Sequence, residues 1–130
     1  MIVVDASVVV AALGDDGPDG DLARLRLRGE RLAAPHLIDL EVISAWRRLA
    51  SAGDIDARRV QLAIADLRDL RLDRVPHGPL LERCWELRAN LTVYDAAYVA
   101  VAERLDAALL TADHRLAGAP GCRCGIELLR

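Results

Sequence analysis

Of the 20 acidic residues in this 130-residue chain, four stand where water gives a carboxylate little help. Asp5 follows Ile2-Val3-Val4 and precedes Val8-Val9-Val10. Glu41 interrupts the apolar run Leu37-Ile38-Asp39-Leu40-Glu41-Val42-Ile43. Asp95 opens the almost wholly apolar Asp95-Ala96-Ala97-Tyr98-Val99-Ala100-Val101-Ala102, and Asp113 follows Leu109-Leu110-Thr111-Ala112. A buried carboxylate is costly unless it is paired or binds a metal. Each of the four also has a plainer reading. Asp5, Asp95 and Asp113 suit helix N-termini, and Glu41 suits a boundary position reaching solvent. Taken together they point elsewhere. Four carboxylates converging without a lysine among them repel at short range. A hard divalent cation such as Mg²⁺ or Mn²⁺, which takes oxygen ligands, removes that repulsion. Ser7 and Thr111, each two positions from one of these aspartates, are candidates to support them by hydrogen bonding.

The rest of the composition narrows the chemistry. Every one of the 17 basic residues is arginine. The absence of lysine excludes P-loop, Schiff-base and receiver-type phosphorelay sites, while arginine forks suit phosphate. A net charge of −3 is not the footprint of a broad nucleic-acid-binding surface. An RNA substrate would need a local arginine cluster, a bound metal or a second subunit to supply positive field. His36, His77 and His114 share no ligand spacing. Arg115, just after Asp113, is a candidate phosphate contact. Cys84 falls in an apolar stretch, and Cys122-x-Cys124 lacks the second pair that a zinc site needs. Three cysteines without a framework fit a reducing cytoplasm. The apolar start lacks the basic region of a signal peptide, and no segment approaches the roughly 20 apolar residues of a membrane span.

The elements that must position these acids follow from periodicity. Ile2–Val4 reads as a buried strand, then a helix Val8–Leu13 with Ser7 near its cap. Gly14–Gly20 reads as a turn-rich loop, followed by an arginine-rich helix closed by Gly29 and a short strand Arg31–Ala34. Helices are expected over Leu37–Ala52, Asp56–Leu70, Leu80–Ala89 and Asp95–Leu105, and strands over Leu72–Val75, Ala107–Thr111 and Ile126–Leu129. On the helix over Leu37–Ala52, positions 37, 40, 41 and 44 share one face, which directs Glu41 toward the core and Asp39 away from it. Strands alternating with helices imply one α/β domain over 1–130 with a parallel sheet covered on both faces. In such sheets ligands bind beyond the carboxyl ends of the strands, which is where Asp5 and Asp113 fall.

Four segments resemble the motifs of PIN-domain ribonucleases of the VapC toxin type. Val3-Val4-Asp5-Ala6-Ser7 resembles the first motif, and Glu41 in a helix after a proline is similar to the second. Leu91-Thr92-Val93-Tyr94-Asp95-Ala96-Ala97-Tyr98-Val99-Ala100 resembles the third, and Leu110-Thr111-Ala112-Asp113-His114-Arg115-Leu116 the fourth. The resemblance implies a Rossmann-like three-layer α/β/α PIN fold with about five parallel strands. It implies a Mg²⁺- or Mn²⁺-dependent endoribonuclease with Asp5, Glu41, Asp95 and Asp113 as metal-site acids, leaving a 5′-phosphate and a 3′-hydroxyl. It also implies a homodimer held inactive by a VapB-type antitoxin. Some members carry a further acid just after the fourth motif; Leu116 and Ala117 stand there in this chain.

The helices over Leu37–Leu70, with Trp46 and Arg47-Arg48, are candidates for a groove that receives an antitoxin helix. Two alternatives stay open at this point: a PIN nuclease of RNA processing outside any toxin–antitoxin pair, and a PIN-like module that binds without cutting. A haloacid-dehalogenase phosphatase also begins with an aspartate after a strand. It requires D-x-D-x-T and a lysine, whereas Ser7 occupies the second aspartate position here and lysine is absent.

Overall fold

A computed structural model describes all 130 residues. Five short strands, β1 (Ile2–Val4), β2 (Leu32–Pro35), β3 (Leu72–Val75), β4 (Ala108–Thr111) and β5 (Ile126–Leu128), form one all-parallel sheet in the order β3-β2-β1-β4-β5. Parallel neighbours need crossovers. Here α1 (Ala6–Gly14) and α2 (Pro18–Leu27) join β1 to β2, and α3 (Ile38–Ser51) and α4 (Ala57–Asp69) join β2 to β3. A 3₁₀ turn (Gly78–Leu80), α5 (Leu81–Glu86) and α6 (Val93–Arg104) carry the chain back across the sheet to β4, and α7 (His114–Ala117) precedes β5.

The strand order contains one reversal. From β1 the chain moves outward through β2 to β3, then returns to the other side of β1 for β4. The loops after β1 and β4 therefore part from each other and leave a crevice between them, the position where open α/β sheets bind ligands.

All three residues of β1 are buried, as a strand covered on both faces requires. α6 packs across β1, β2 and β4, while α1 packs against α2, α3, α4 and β4. α6 is buried continuously from Ala96 to Ala102, so its small residues let it lie close on the sheet. The single core cluster is built from Val, Leu, Ile and Ala around two large rings, Trp46 and Tyr98. No helix is long and apolar enough to cross a membrane.

Several local expectations change. Asp5, not Ser7, caps α1, accepting from the Ser7 backbone N–H at 2.5 Å. The loop after α1 stops at Gly17, because Pro18 enters α2 at its first turn, where a proline loses no hydrogen bond. Thr92 caps α6, so that helix starts two residues before Asp95 and Asp95 lies in its first turn. The segment expected to be one helix over Leu80–Ala89 is a 3₁₀ turn followed by the short α5. On α3 the buried stripe is Ile38, Val42 and Trp46. Leu40 is 74% exposed, so the face shared by 37, 40, 41 and 44 is not the core face, and Glu41 stands at its margin.

Candidate active site

Asp5, Glu41, Asp95 and Asp113 line one cavity of about 630 Å³, together with Ser7, Arg48, Asp54 and Tyr98. They come from four separated segments: the end of β1, the first turn of α3, the first turn of α6 and the end of β4. The sheet reversal brings the first and last together.

Asp5 is the most firmly held. It is 7% exposed. One carboxylate oxygen accepts from the Ser7 N–H, and the other accepts from the Thr111 hydroxyl at 2.5 Å. Thr111 is fully buried and its hydroxyl oxygen also accepts from the Asp113 N–H at 3.0 Å, so one side chain ties both strand ends. The Ser7 hydroxyl accepts from the Ala112 N–H at 3.0 Å. The hydroxyl therefore pins the turn after β4, and it is the Ser7 backbone N–H that holds the Asp5 carboxylate. Asp113 caps α7 through one oxygen, accepting from the Arg115 N–H at 2.9 Å. Capping and lining the cavity are compatible, because a carboxylate has two oxygens.

Glu41 is aimed by a residue that the sequence reading passed over. The Tyr98 hydroxyl donates to Glu41 Oε1 at 2.6 Å, and Tyr98 itself is buried. The signal was there: Tyr98 lies three residues after Asp95, on the same face of α6. Burial raises the Glu41 carboxyl above its ordinary range; the Tyr98 bond opposes the rise, and the charges of Asp95 and Asp5 add to it. Burial likewise raises Asp95, opposed by Thr92 and reinforced by the charges of Asp5 and Asp113. Burial and the Glu41 carboxylate keep the Tyr98 phenol protonated.

The site is therefore rich in negative charge that is poorly solvated and mutually repelling. No three His, Cys, Asp or Glu side chains are drawn into a ready coordination shell; the acids stand around the cavity wall. All the donors facing this space are oxygens, without a histidine or a thiol among them. That set fits a hard divalent cation of the Mg²⁺ or Mn²⁺ type and is unsuited to zinc.

A model of the PIN domain matches residues 2–121. The chain belongs to the PIN-domain family. It is 46% identical over 129 residues to the VapC ribonuclease Mb0985 of Mycobacterium bovis, covering 99% of this chain and 98% of that one. It is equally similar, at 46% over 129 residues, to ribonuclease VapC1 of Mycobacterium tuberculosis, covering 98% and 97%. This likeness marks it as a PIN domain of the VapC type. Among solved structures, PAE2754 from Pyrobaculum aerophilum superposes with a TM-score of 0.69 at 28% identity, covering 96% of this chain and 81% of that one. Mycobacterium tuberculosis VapC20, described as a sarcin-ricin loop cleaving toxin, has the same fold, with a TM-score of 0.68 at 18% identity over 89% of this chain and 92% of that one.

In this PIN domain the remaining candidates fall outside the cavity or at its rim. Arg115 is almost fully exposed and leans on Asp113 at 3.6 Å. His77 accepts from the Leu37 N–H at 3.0 Å and serves the turn before α3. Cys84 is buried, and Cys122 and Cys124 are free thiols that burial pushes toward the neutral form. Trp46 is fully buried, and its ring backs a groove lined also by Val10, Leu22, Leu49 and Ile55 rather than projecting from the surface.

Proposed function

We propose that this chain is the ribonuclease toxin of a VapBC-type toxin–antitoxin pair, hydrolysing RNA phosphodiester bonds at the acid cavity. The observation that carries this reading is the gathering of four acids from four segments into one crevice, in a chain similar to VapC ribonucleases along its whole length. Asp5, Asp95, Asp113 and Glu41 would hold Mg²⁺ or Mn²⁺. The ion would supply Lewis acidity to the phosphate and lower the pKa of an attacking water.

The chain's own residues prepare that chemistry. Ser7 and Thr111 fix both oxygens of Asp5. Thr111 also sets the backbone from which Asp113 projects. Tyr98 fixes one oxygen of Glu41 and leaves the other free. Arg115, exposed at the rim, would take a substrate phosphate.

The antitoxin's surface would be a larger groove of about 880 Å³ that shares Ser7, Val10, Leu49 and Asp54 with the acid cavity. Its floor includes Val10, Leu22, Leu49 and Ile55, and its rim carries Asp15, Asp16, Asp19, Asp54 and Asp56. An acidic rim over an apolar floor suits a basic amphipathic segment, and a cationic side chain from it would reach the acids. A homodimer acting in the cytoplasm completes the reading. It is supported by the exposed apolar residues Leu81, Trp85, Val93 and Tyr94 and by three free cysteines.

Asp5→Asn tests the catalytic reading. Asparagine caps a helix as well as aspartate does, so circular dichroism should be unchanged. Metal-dependent RNA cleavage should fall by about a hundredfold or more. Undiminished cleavage would refute it.

A further inference from the structure

One basic residue among the cavity-lining side chains has no role in the account above. Arg48 lies on α3 seven residues after Glu41, two turns along and on the same face. It is the only arginine that lines the acid cavity, alongside five carboxylates: Asp5, Glu41, Asp54, Asp95 and Asp113. Yet it forms no ion pair with any of them. Its one hydrogen bond runs from Nη1 to the Ser44 hydroxyl, one turn back, at 3.1 Å.

Among the arginines with buried or half-buried side chains the pattern is different. Arg26, Arg59, Arg74 and Arg83 each grip a carboxylate at 2.6–3.0 Å. Arg48 is thus tethered at one nitrogen and keeps the rest of its fork uncommitted, in the wall of a cavity lined by five carboxylates. It shares the cavity wall with Glu41, whose carboxyl its charge lowers slightly against the larger effect of burial.

A chain with net charge −3 must find cations for a polyanion somewhere. The adjoining groove carries five aspartates against one arginine, Arg59, which is already paired with Asp16, so it offers a phosphate backbone no free cation. Arg115 follows β4 and Arg48 lies on the helix that follows β2, and these strands flank β1, which ends at Asp5, on opposite sides. Arginine's planar fork matches two phosphate oxygens.

We propose that Arg48 is a substrate-positioning residue, its uncommitted guanidinium gripping an RNA backbone phosphate next to the one that is cut. This rests on the ribonuclease reading and adds to it a direction for the RNA, across the cavity from the β4 side to the last turn of α3. Arg48 holds the strand in register while the acids act one phosphate away.

The test compares Arg48→Gln and Arg48→Lys with Arg47→Gln, an exposed neighbour outside the cavity, on a labelled single-stranded oligoribonucleotide. Arg48→Gln should raise KM about tenfold with kcat nearly unchanged. The slope of log affinity against log salt concentration should shrink by about one. Arg48→Lys should restore the salt slope and only part of KM, since an ammonium is a point charge. Arg47→Gln should match the unaltered chain. Calorimetric Mn²⁺ affinity should not weaken in Arg48→Gln, which separates a grip on RNA from a part in holding metal. Unaltered KM and salt slope, a fall confined to kcat, or weakened Mn²⁺ binding would each overturn the proposal. Loss of antitoxin binding with normal RNA kinetics would overturn it in favour of a protein contact. If the unaltered chain cuts no RNA, the ribonuclease reading fails on its own. Fluorescence anisotropy with the same oligonucleotide then decides the Arg48 proposal: a weaker affinity and a smaller slope than Arg47→Gln sustain it, and equal values sink it.

Discussion

Tyr98→Phe removes one oxygen atom and should weaken metal binding while leaving the protein folded. The ring stays in the core, so no cavity opens. What disappears is a donor 2.6 Å from Glu41 Oε1. A hydrogen bond to a charged acceptor contributes about 1.5–3 kcal/mol. Glu41 is half-buried and can turn partly to water, so the lower end applies, equivalent to about tenfold in affinity. Loss of a group that orients a metal ligand falls in the same range. Calorimetric titration should therefore show Mn²⁺ bound about tenfold more weakly. Cleavage should recover toward the unaltered rate as metal is raised, because the ligand set is complete and only its aim is lost. The melting temperature should drop by roughly 5 °C, consistent with the same loss of about 1.5 kcal/mol and short of unfolding. Unchanged Mn²⁺ affinity would refute the idea that the phenol aims Glu41. Gross unfolding would show instead that the hydroxyl holds the core.

The Arg83–Glu103 pair makes stability depend on pH. Arg83 grips both oxygens of Glu103, at 2.7 and 3.0 Å, and the Arg123 N–H adds a third bond at 2.7 Å. Burial pushes Glu103 up, but these bonds outweigh it and the carboxyl ends below its ordinary range. A lowered carboxyl stabilises the fold above the unfolded glutamate value of about 4.3 and loses that contribution as pH falls through the folded value. Glu103→Gln should cost roughly 2 kcal/mol at pH 7 in denaturant melts, and the difference should shrink below about pH 4. Gly20→Ala should destabilise by about 2 kcal/mol, because a Cβ there would lie 1.8 Å from the Asp15 carbonyl oxygen, where α2 turns back on α1; melting like the unaltered chain would mean the two helices do not approach so closely.

The strand ends were legible in the sequence because β-branched and leucine runs stop abruptly at an aspartate. Ile2-Val3-Val4 before Asp5 and Leu109-Leu110-Thr111 before Asp113 became β1 and β4, and the position of both acids at one sheet edge followed from parallel pairing alone. What periodicity could not settle was which of two adjacent stripes of α3 faces inward. Leu37 and Leu40 are as apolar as Ile38 and Val42, and only packing against α1 and α4 decides it. Glu41 reaches the cavity from the edge of the buried stripe. Tyr98 was missed, and Arg48 was read only as part of a candidate partner groove, for a different reason. Each lies one or two helical turns from a recognised acid, but a tyrosine in an apolar helix reads as core and an arginine on an amphipathic helix reads as solvated face. Ser7 was misread because a serine before a helix and an aspartate two residues earlier compete for the same capping role. The aspartate wins when the strand ends on it.

The bond from the Thr111 hydroxyl to Asp5 joins residues 106 positions apart. β1 is synthesised first, yet its partner β4 arrives only in the last quarter of the chain. At about 5–20 residues per second, a ribosome spends several seconds making a polypeptide in which Asp5 has neither its hydroxyl anchor nor Asp113 for company. A nascent or prematurely terminated chain that stops short of β4 thus lacks two of the groups that complete the acid cavity, the Thr111 hydroxyl on Asp5 and the Asp113 carboxylate.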